Sequence, residues 1–209
     1  NASFLRALES LQTRFGRGVV PLAIPLGEEK GFVGLADLLS QKATVYASDQ
    51  SGKPQSVDVP AEVREAAQSW RDKLVEMVAE TNESLLEEFF EKGTLEPEPL
   101  AKGLREAIRA GRIFPVMPAS SQRNVGLHSM LDAVIDLLPS PADCGEAMGE
   151  DPQTRQTVVR KPSTEEPFSA LVFKTMVDPH AGRISFFRVY SGVLKADGTV
   201  HNSTRDVPE

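Results

Sequence analysis

Apolar residues recur at helical spacing from Phe4 through Leu8 and Leu11 to Phe15, with Ser3 ahead of them and Gly16 behind. That pattern predicts a capped helix stopped by a glycine. A near-continuous apolar run over 19–26 then predicts a buried strand, with Pro21 and Pro25 placing it at an edge or at irregular positions. A shorter strand is predicted at 31–33 across a turn at 27–30, a turn at Asp37-Leu38-Leu39, a third strand at 43–47 and a polar loop at 49–54. Pro60, with Asp58 as cap, predicts the start of a long helix whose stripe is Val63, Ala67, Trp70, Leu74 and Met77 or Val78. A break near Asn82 separates it from a second stripe of Leu85, Leu86, Phe89 and Phe90. Glu83, Glu87, Glu88 and Glu91 cover the other side of that segment. A third helix over 99–110 points Leu100, Leu104, Ala107 and Ile108 inward and ends at Gly111.

The second half changes character. A strand at 113–117 is predicted despite Pro115. A helix from about 125 to 138 follows, with Leu127, Leu131, Val134 and Leu138 on one face and Pro139-Ser140-Pro141 as its stop. From 142 to 152 the chain is polar and acidic and contains glycine and proline, the composition of a linker. After it only strands are predicted, at about 156–160, 168–177, 183–193 and 199–202. The two long ones flank Asp178-Pro179-His180-Ala181-Gly182, which reads as a hairpin with a five-residue connection. The chain therefore divides into an α/β part at 1–141, a linker at 142–155 and an all-β part at 156–209. The last has too few strands to close a barrel, which leaves an open edge.

Composition narrows the function classes. The chain has 209 residues, a net charge of -7 and ordinary hydrophobic and charged content. A general nucleic-acid-binding surface is not indicated by that charge, although a local basic patch remains compatible with it. The single cysteine, Cys144, excludes an intrachain disulfide and fits a reducing compartment. No apolar run approaches the roughly 18 residues of a membrane span, and no basic segment followed by an apolar one opens the chain.

Candidate chemistry is sparse. His128, His180 and His201 fall on a helix, in a turn and in a terminal strand, and no Cys or His pair has metal-ligand spacing. Neither GxxxxGK[ST] nor GxGxxG is present, so no phosphate-cradling loop is expected. Ser120-Ser121 lacks a nucleophile-elbow frame and a paired base. The acidic run from Glu83 to Glu91 reads as a solvated helix face, or as a docking surface for a basic or mixed-charge protein. Trp70 reads as core, and of the adjacent Phe89 and Phe90 one is expected to be partly exposed.

From about Ser3 to Arg205 the chain resembles translation elongation factor G. The resemblance rests on Val20-Pro21-Leu22-Ala23-Ile24-Pro25-Leu26-Gly27, on Phe32-Val33-Gly34-Leu35-Ala36-Asp37-Leu38, and on Lys73-Leu74-Val75-Glu76 with Glu80-Thr81-Asn82-Glu83. It continues through Pro115-Val116-Met117-Pro118-Ala119-Ser120, Leu131-Asp132-Ala133-Val134 and Leu137-Leu138-Pro139-Ser140-Pro141. It is most specific over Phe173-Lys174, Asp178-Pro179, Gly182-Arg183 and Arg188-Val189-Tyr190-Ser191-Gly192.

The resemblance implies an α/β (α+β) G′ insertion at about 19–111 within the C-terminal part of a GTPase domain, then the first part of the β-barrel domain II. It implies a fragment of a ribosomal translocase GTPase that uses GTP or GDP with magnesium. Stalk protein would be met through the G′ subdomain and small-subunit RNA through the barrel, in the cytoplasm. The family's guanine-contacting loop aligns with Ser120, Ser121 and Gln122, where Ser121 and Gln122 depart from the usual Ala and Leu. The phosphate loop, both switches and NKxD fall upstream of Ser3. The chain alone is therefore expected to have no catalytic residue, no cofactor, and neither GTP hydrolysis nor measurable GTP binding. Exposed strand edges imply self-association. A nucleotide-independent ribosome- or protein-binding module, and a paralogue of the ribosomal-protection or release-factor type, are the alternatives.

Overall fold

The computed structural model describes residues 2–47, 49, 51–151 and 154–209. The loop expected at 49–54 includes Gln50, and the linker expected at 142–155 includes Pro152 and Gln153; these three lie outside the described residues. Contacts divide the chain into two units, Asn1–Leu138 and Pro139–Glu209.

After helix α1 (Phe4–Phe15), the apolar run at 19–26 forms two strands instead of the single one expected. Strand β1 (Val19–Pro21) pairs in parallel with β6 (Phe114–Val116), Val20 opposite Pro115. Leu22, whose N–H donates to the carbonyl of Val116 at 3.0 Å, is the step between sheets. Strand β2 (Ala23–Leu26) then opens an antiparallel sheet in the order β2-β3-β4-β5, with β3 at Gly34–Asp37, β4 at Lys42–Tyr46 and β5 at Pro54–Asp58. Residues 22–113 are thus an excursion that leaves from one strand and returns to its parallel neighbour. Pro25 sits on the edge strand of the four-stranded sheet, where its missing N–H costs no ladder bond.

Two strand boundaries differ from expectation for local reasons. The segment 29–31 is a short 3₁₀ turn, so β3 starts at Gly34 instead of 31. Gly27 precedes that turn at φ +80°, and a Cβ there would lie 2.1 Å from the carbonyl oxygen of Gly31. Strand β5 has no apolar pattern to announce it, since only Val57 is even half-buried. It forms because β4 offers a free edge, Val45 opposite Gln55.

Helices α2 (Ala61–Ala79), α3 (Glu83–Lys92) and α4 (Pro97–Arg109) cover one face of this sheet. Leu74, Val75, Val78, Leu100, Leu104 and Ile113 pack there against Leu22, Ile24, Ala36 and Leu38. Pro60 occupies the cap position of α2, and Asp58 does not cap it. Asp58 instead accepts a bond from Lys42 Nζ across the β4–β5 pair at 2.8 Å, which holds its carboxyl below the usual range. Asn82 does cap α3, accepting the Ser84 N–H at 2.9 Å. Trp70 is half-buried under the Lys73 ammonium, Phe89 is half-buried, and Phe90 is 77% exposed.

Helix α5 (Leu127–Leu137) leaves most of the expected face exposed. Leu137 is buried and Leu127 half-buried, whereas Leu131, Val134 and Leu138 are exposed. Periodicity identifies an apolar stripe but says nothing about whether a neighbour covers it.

The second unit is all strand apart from the 3₁₀ turn Pro141–Cys144, which Ser140 and Asp143 cap reciprocally. Part of the segment read as a linker forms β7 (Ala147–Glu150), paired with β8 (Thr157–Arg160). Strands β9 (Ser169–Asp178) and β10 (Gly182–Ser191) make a long hairpin, and β11 (His201–Asn202) pairs with β12 (Val207–Pro208). Because Asp178 pairs with Gly182, the connection shrinks to 179–181. Asp178 Oδ1 accepts the N–H groups of His180 and Ala181 at 2.8 Å each, and these bonds lower its carboxyl pKa. The described residues of this unit form two-stranded sheets and no closed barrel.

Candidate functional site

The loop after β6 is the one place where a sequence-predicted site residue meets a built scaffold. Ser120 and Val125 form an isolated antiparallel bridge, with the Ser120 N–H donating to the Val125 carbonyl at 2.8 Å and the reverse bond at 3.1 Å. Between them the Asn124 N–H donates to the Ser121 carbonyl at 3.3 Å, and Asn124 takes a left-handed φ of +54°. Ser120 is half-buried; Ser121 and Gln122 are exposed at the tip. All three predicted residues are therefore together. Among the described residues, the backbone N–H groups of Ser121 and Gln122 donate to no backbone carbonyl. The tip presents donors to whatever approaches it, and backbone donors do not depend on which side chain follows.

What holds this loop is the insertion. Val125 is buried in a small cluster with Ala23, Phe32, Leu35 and Tyr46, all from the four-stranded sheet and its turn. Arg123 Nη1 donates to the carbonyls of Glu29 and Lys30 at 3.2 and 3.0 Å. The Asn124 side chain fills the space over Gly52, where a Cβ would come within 2.3 Å of Asn124 Nδ2. Tyr46 Oη and Ser129 Oγ share a hydrogen bond of 3.1 Å. Sequence reasoning singled out the tip but neither Arg123 nor Asn124, because their partners lie far away along the chain and no local pattern marks them.

Arg123→Ala is expected to loosen the tip without unfolding the sheet. Two partly exposed bonds to carbonyls are worth about 1 kcal/mol together, so amide exchange over 120–126 should speed up roughly fivefold. Unchanged exchange there would mean that the Val125 cluster alone holds the loop.

The other predicted groups are scattered. His128 lies beside Asp132 at 3.1 Å and His201 beside Asp206 at 3.2 Å, all of them exposed. His180 sits in the hairpin turn. No group of three or more His, Cys, Asp or Glu that could hold a metal occurs among the described residues. The chain offers no phosphate-cradling loop, so its residues do not fit a magnesium-bound triphosphate. Among the described residues no helix is long and apolar enough to cross a membrane.

In the second unit, the hairpin register places Lys174 opposite Phe186 and Leu171 opposite Arg188. Alternation along β10 puts Ile184 and Phe186 on one face, with the Lys174 ammonium 5.8 Å from the Phe186 ring centre, and Arg188 follows after a register shift between Phe186 and Phe187. Arg183 falls on the opposite face.

Residues 167–208, the span of this hairpin and the strands after it, match the family described as elongation factor G domain 2. The chain is also similar to a protein of known crystal structure from Thermus thermophilus, with 32% identity and a TM-score of 0.72. That likeness covers 95% of this chain but 27% of the other, so the chain spans about a quarter of that protein's length. Residues 167–208 are thus an elongation factor G domain 2, and the chain is an elongation-factor-G-like segment of a translation factor.

Proposed function

We infer that this chain is the ribosome-contacting middle of a translational GTPase, with its two units meeting different ribosomal components. The observation that carries the reading is the elongation factor G domain 2 match over the hairpin. The hairpin bearing Lys174, Phe186 and Arg188 supports an RNA partner for that domain. Cations interleaved with an aromatic ring are the chemistry that grips a phosphate backbone and stacks a base. The insertion offers a protein surface of a different kind. Helix α3 exposes Phe90 beside Glu83, Glu87 and Glu91, an anchor with an acidic surround that suits the stalk protein.

In the longer protein, Ser120, Ser121 and Gln122 contribute guanine contacts. GTP, GDP and magnesium depend on groups outside this chain. Phosphate contacts are charge-assisted bonds worth roughly 1.5–3 kcal/mol each. Without them the loop falls well short of the about 8 kcal/mol that a micromolar site requires.

Co-sedimentation with purified small ribosomal subunits tests the reading. Binding is expected to weaken steeply with salt, and Lys174→Ala with Arg188→Ala should lower affinity and flatten the salt slope by about two phosphate contacts. Binding to small subunits that neither salt nor these substitutions alter would remove the RNA-docking role.

A further inference from the structure

Arg71 is the one charged side chain that is buried among the described residues, at 8% exposure. It lies in the middle of α2, and its Nη1 donates to the carbonyls of Leu38 and Leu39, where β3 turns towards β4. Both acceptors are neutral. The nearby carboxylates are engaged elsewhere. Asp37 Oδ1 accepts Leu39 N–H, Ser40 N–H and Ser40 Oγ–H, Asp58 pairs with Lys42, and Asp72 accepts from Gln68. Arg71 makes no ion pair with a described residue. A cation held inside a protein without a counter-charge is costly, and buried charges are ordinarily paired.

The same guanidinium lines a cavity of about 350 Å³ between the 37–41 turn, the end of β5 and α2. Arg64 lines it two helical turns earlier, with a single bond of 3.2 Å to the Val59 carbonyl. Gln41 and Gln68 contribute their amides. Among the described residues no buried side-chain nitrogen lacks a partner. The N–H groups of Arg71 that Leu38 and Leu39 do not engage are therefore not sealed off from solvent, and Arg71 lines the cavity.

We propose that this cavity is a binding site for a small free oxyanion, a phosphate or a carboxylate, which supplies the counter-charge Arg71 lacks. The guanidinium fork matches an oxyanion's paired oxygens. Arg64 closes the site from the solvent side, and the Gln68 amide donates to the remaining oxygen. The volume lies at the lower end of ligand sites, which suits a small occupant. Asp37 and Asp58 also line the cavity. Their repulsion weakens the binding of an anion. The site belongs to the insertion and does not depend on the guanine loop or on ribosome docking.

The test is an NMR titration of the full chain with sodium phosphate and, separately, sodium acetate, each against sodium chloride at matched ionic strength. Saturable shifts at Arg71 Nε and at the amides of 38–41 are expected in at least one arm, and the responding arm names the oxyanion. Arg64→Ala should weaken that binding about tenfold, the loss of one charge-assisted contact. Arg71→Met risks the fold, so Arg64→Ala and Gln68→Ala, both at exposed positions, carry the test. Linear shifts, shifts reproduced by chloride, or an affinity unchanged in both variants would overturn the proposal.

Discussion

Gly192→Ala is expected to unfold the C-terminal unit while the N-terminal one keeps its structure. Gly192 directly follows β10 at φ +71°, and its N–H donates to the Ser163 carbonyl at 2.9 Å. A Cβ at this position would stand 2.5 Å from the Phe168 nitrogen and 2.6 Å from the Glu166 carbonyl oxygen. Both are backbone atoms, so no rotamer change relieves the clash. The left-handed conformation alone costs about 1–3 kcal/mol for a residue with a side chain, and displacing the 166–168 segment adds to it. That segment is also tied to Ser191, which is buried and whose Oγ bonds to the Pro167 carbonyl and to Ser169 Oγ at 2.7 Å each. In a two-dimensional amide spectrum, resonances of β9 and β10 should collapse while those of β2 to β4 stay dispersed. Small-subunit binding should vanish with them. A native spectrum for the variant would show that the 163–168 segment can move aside.

Leu104→Ala should damage the other unit by a comparable amount. Leu104 is fully buried on α4, in the cluster that joins α2 and α4 to the sheet through Leu74, Val78, Leu100 and Ile113. Truncating a leucine in such a place costs about 2–5 kcal/mol, part lost transfer energy and part cavity. For a chain of this size that is a fall in Tm of roughly 5–15 °C. Gly103→Ala offers a contrast at the neighbouring position. Its Cβ would meet Leu85 Cδ1 at 2.5 Å and Val78 Cγ1 at 2.9 Å, the ends of side chains that can shift. Overpacking of that kind costs about 1–3 kcal/mol, so it should be the milder of the two. Thermal melts that ranked them the other way would mean that α3 is held more rigidly against α4 than the core around Leu104.

The two stability tests also separate the partners. Loss of small-subunit binding in Gly192→Ala with binding kept in Leu104→Ala would assign RNA docking to the C-terminal unit. Stalk-protein binding should follow the reverse pattern, because Phe90 and the acidic surround lie on a helix packed against the Leu104 cluster.

Local chemistry was enough to announce most of the elements. The break near Asn82, the glycine stop at Gly16, the α2 and α4 stripes and the β9–β10 hairpin all depend on residues a few positions apart. The family words over 167–208 were legible for the same reason, since each belongs to one short stretch. Other features were settled only by contacts across the fold. The division of 19–26 into two strands depends on β6, far along the chain, arriving beside Val19. Strand β5 exists because β4 has a free edge, not because its own residues are apolar. The α5 stripe was visible, but its exposure depends on what lies opposite it. The clamp of Arg123 on the 29–30 carbonyls and the buried charge of Arg71 join residues that nothing in the order of the chain marks as neighbours. Periodicity reports which face of an element is apolar; only packing decides what that face, or a charge set into it, will meet.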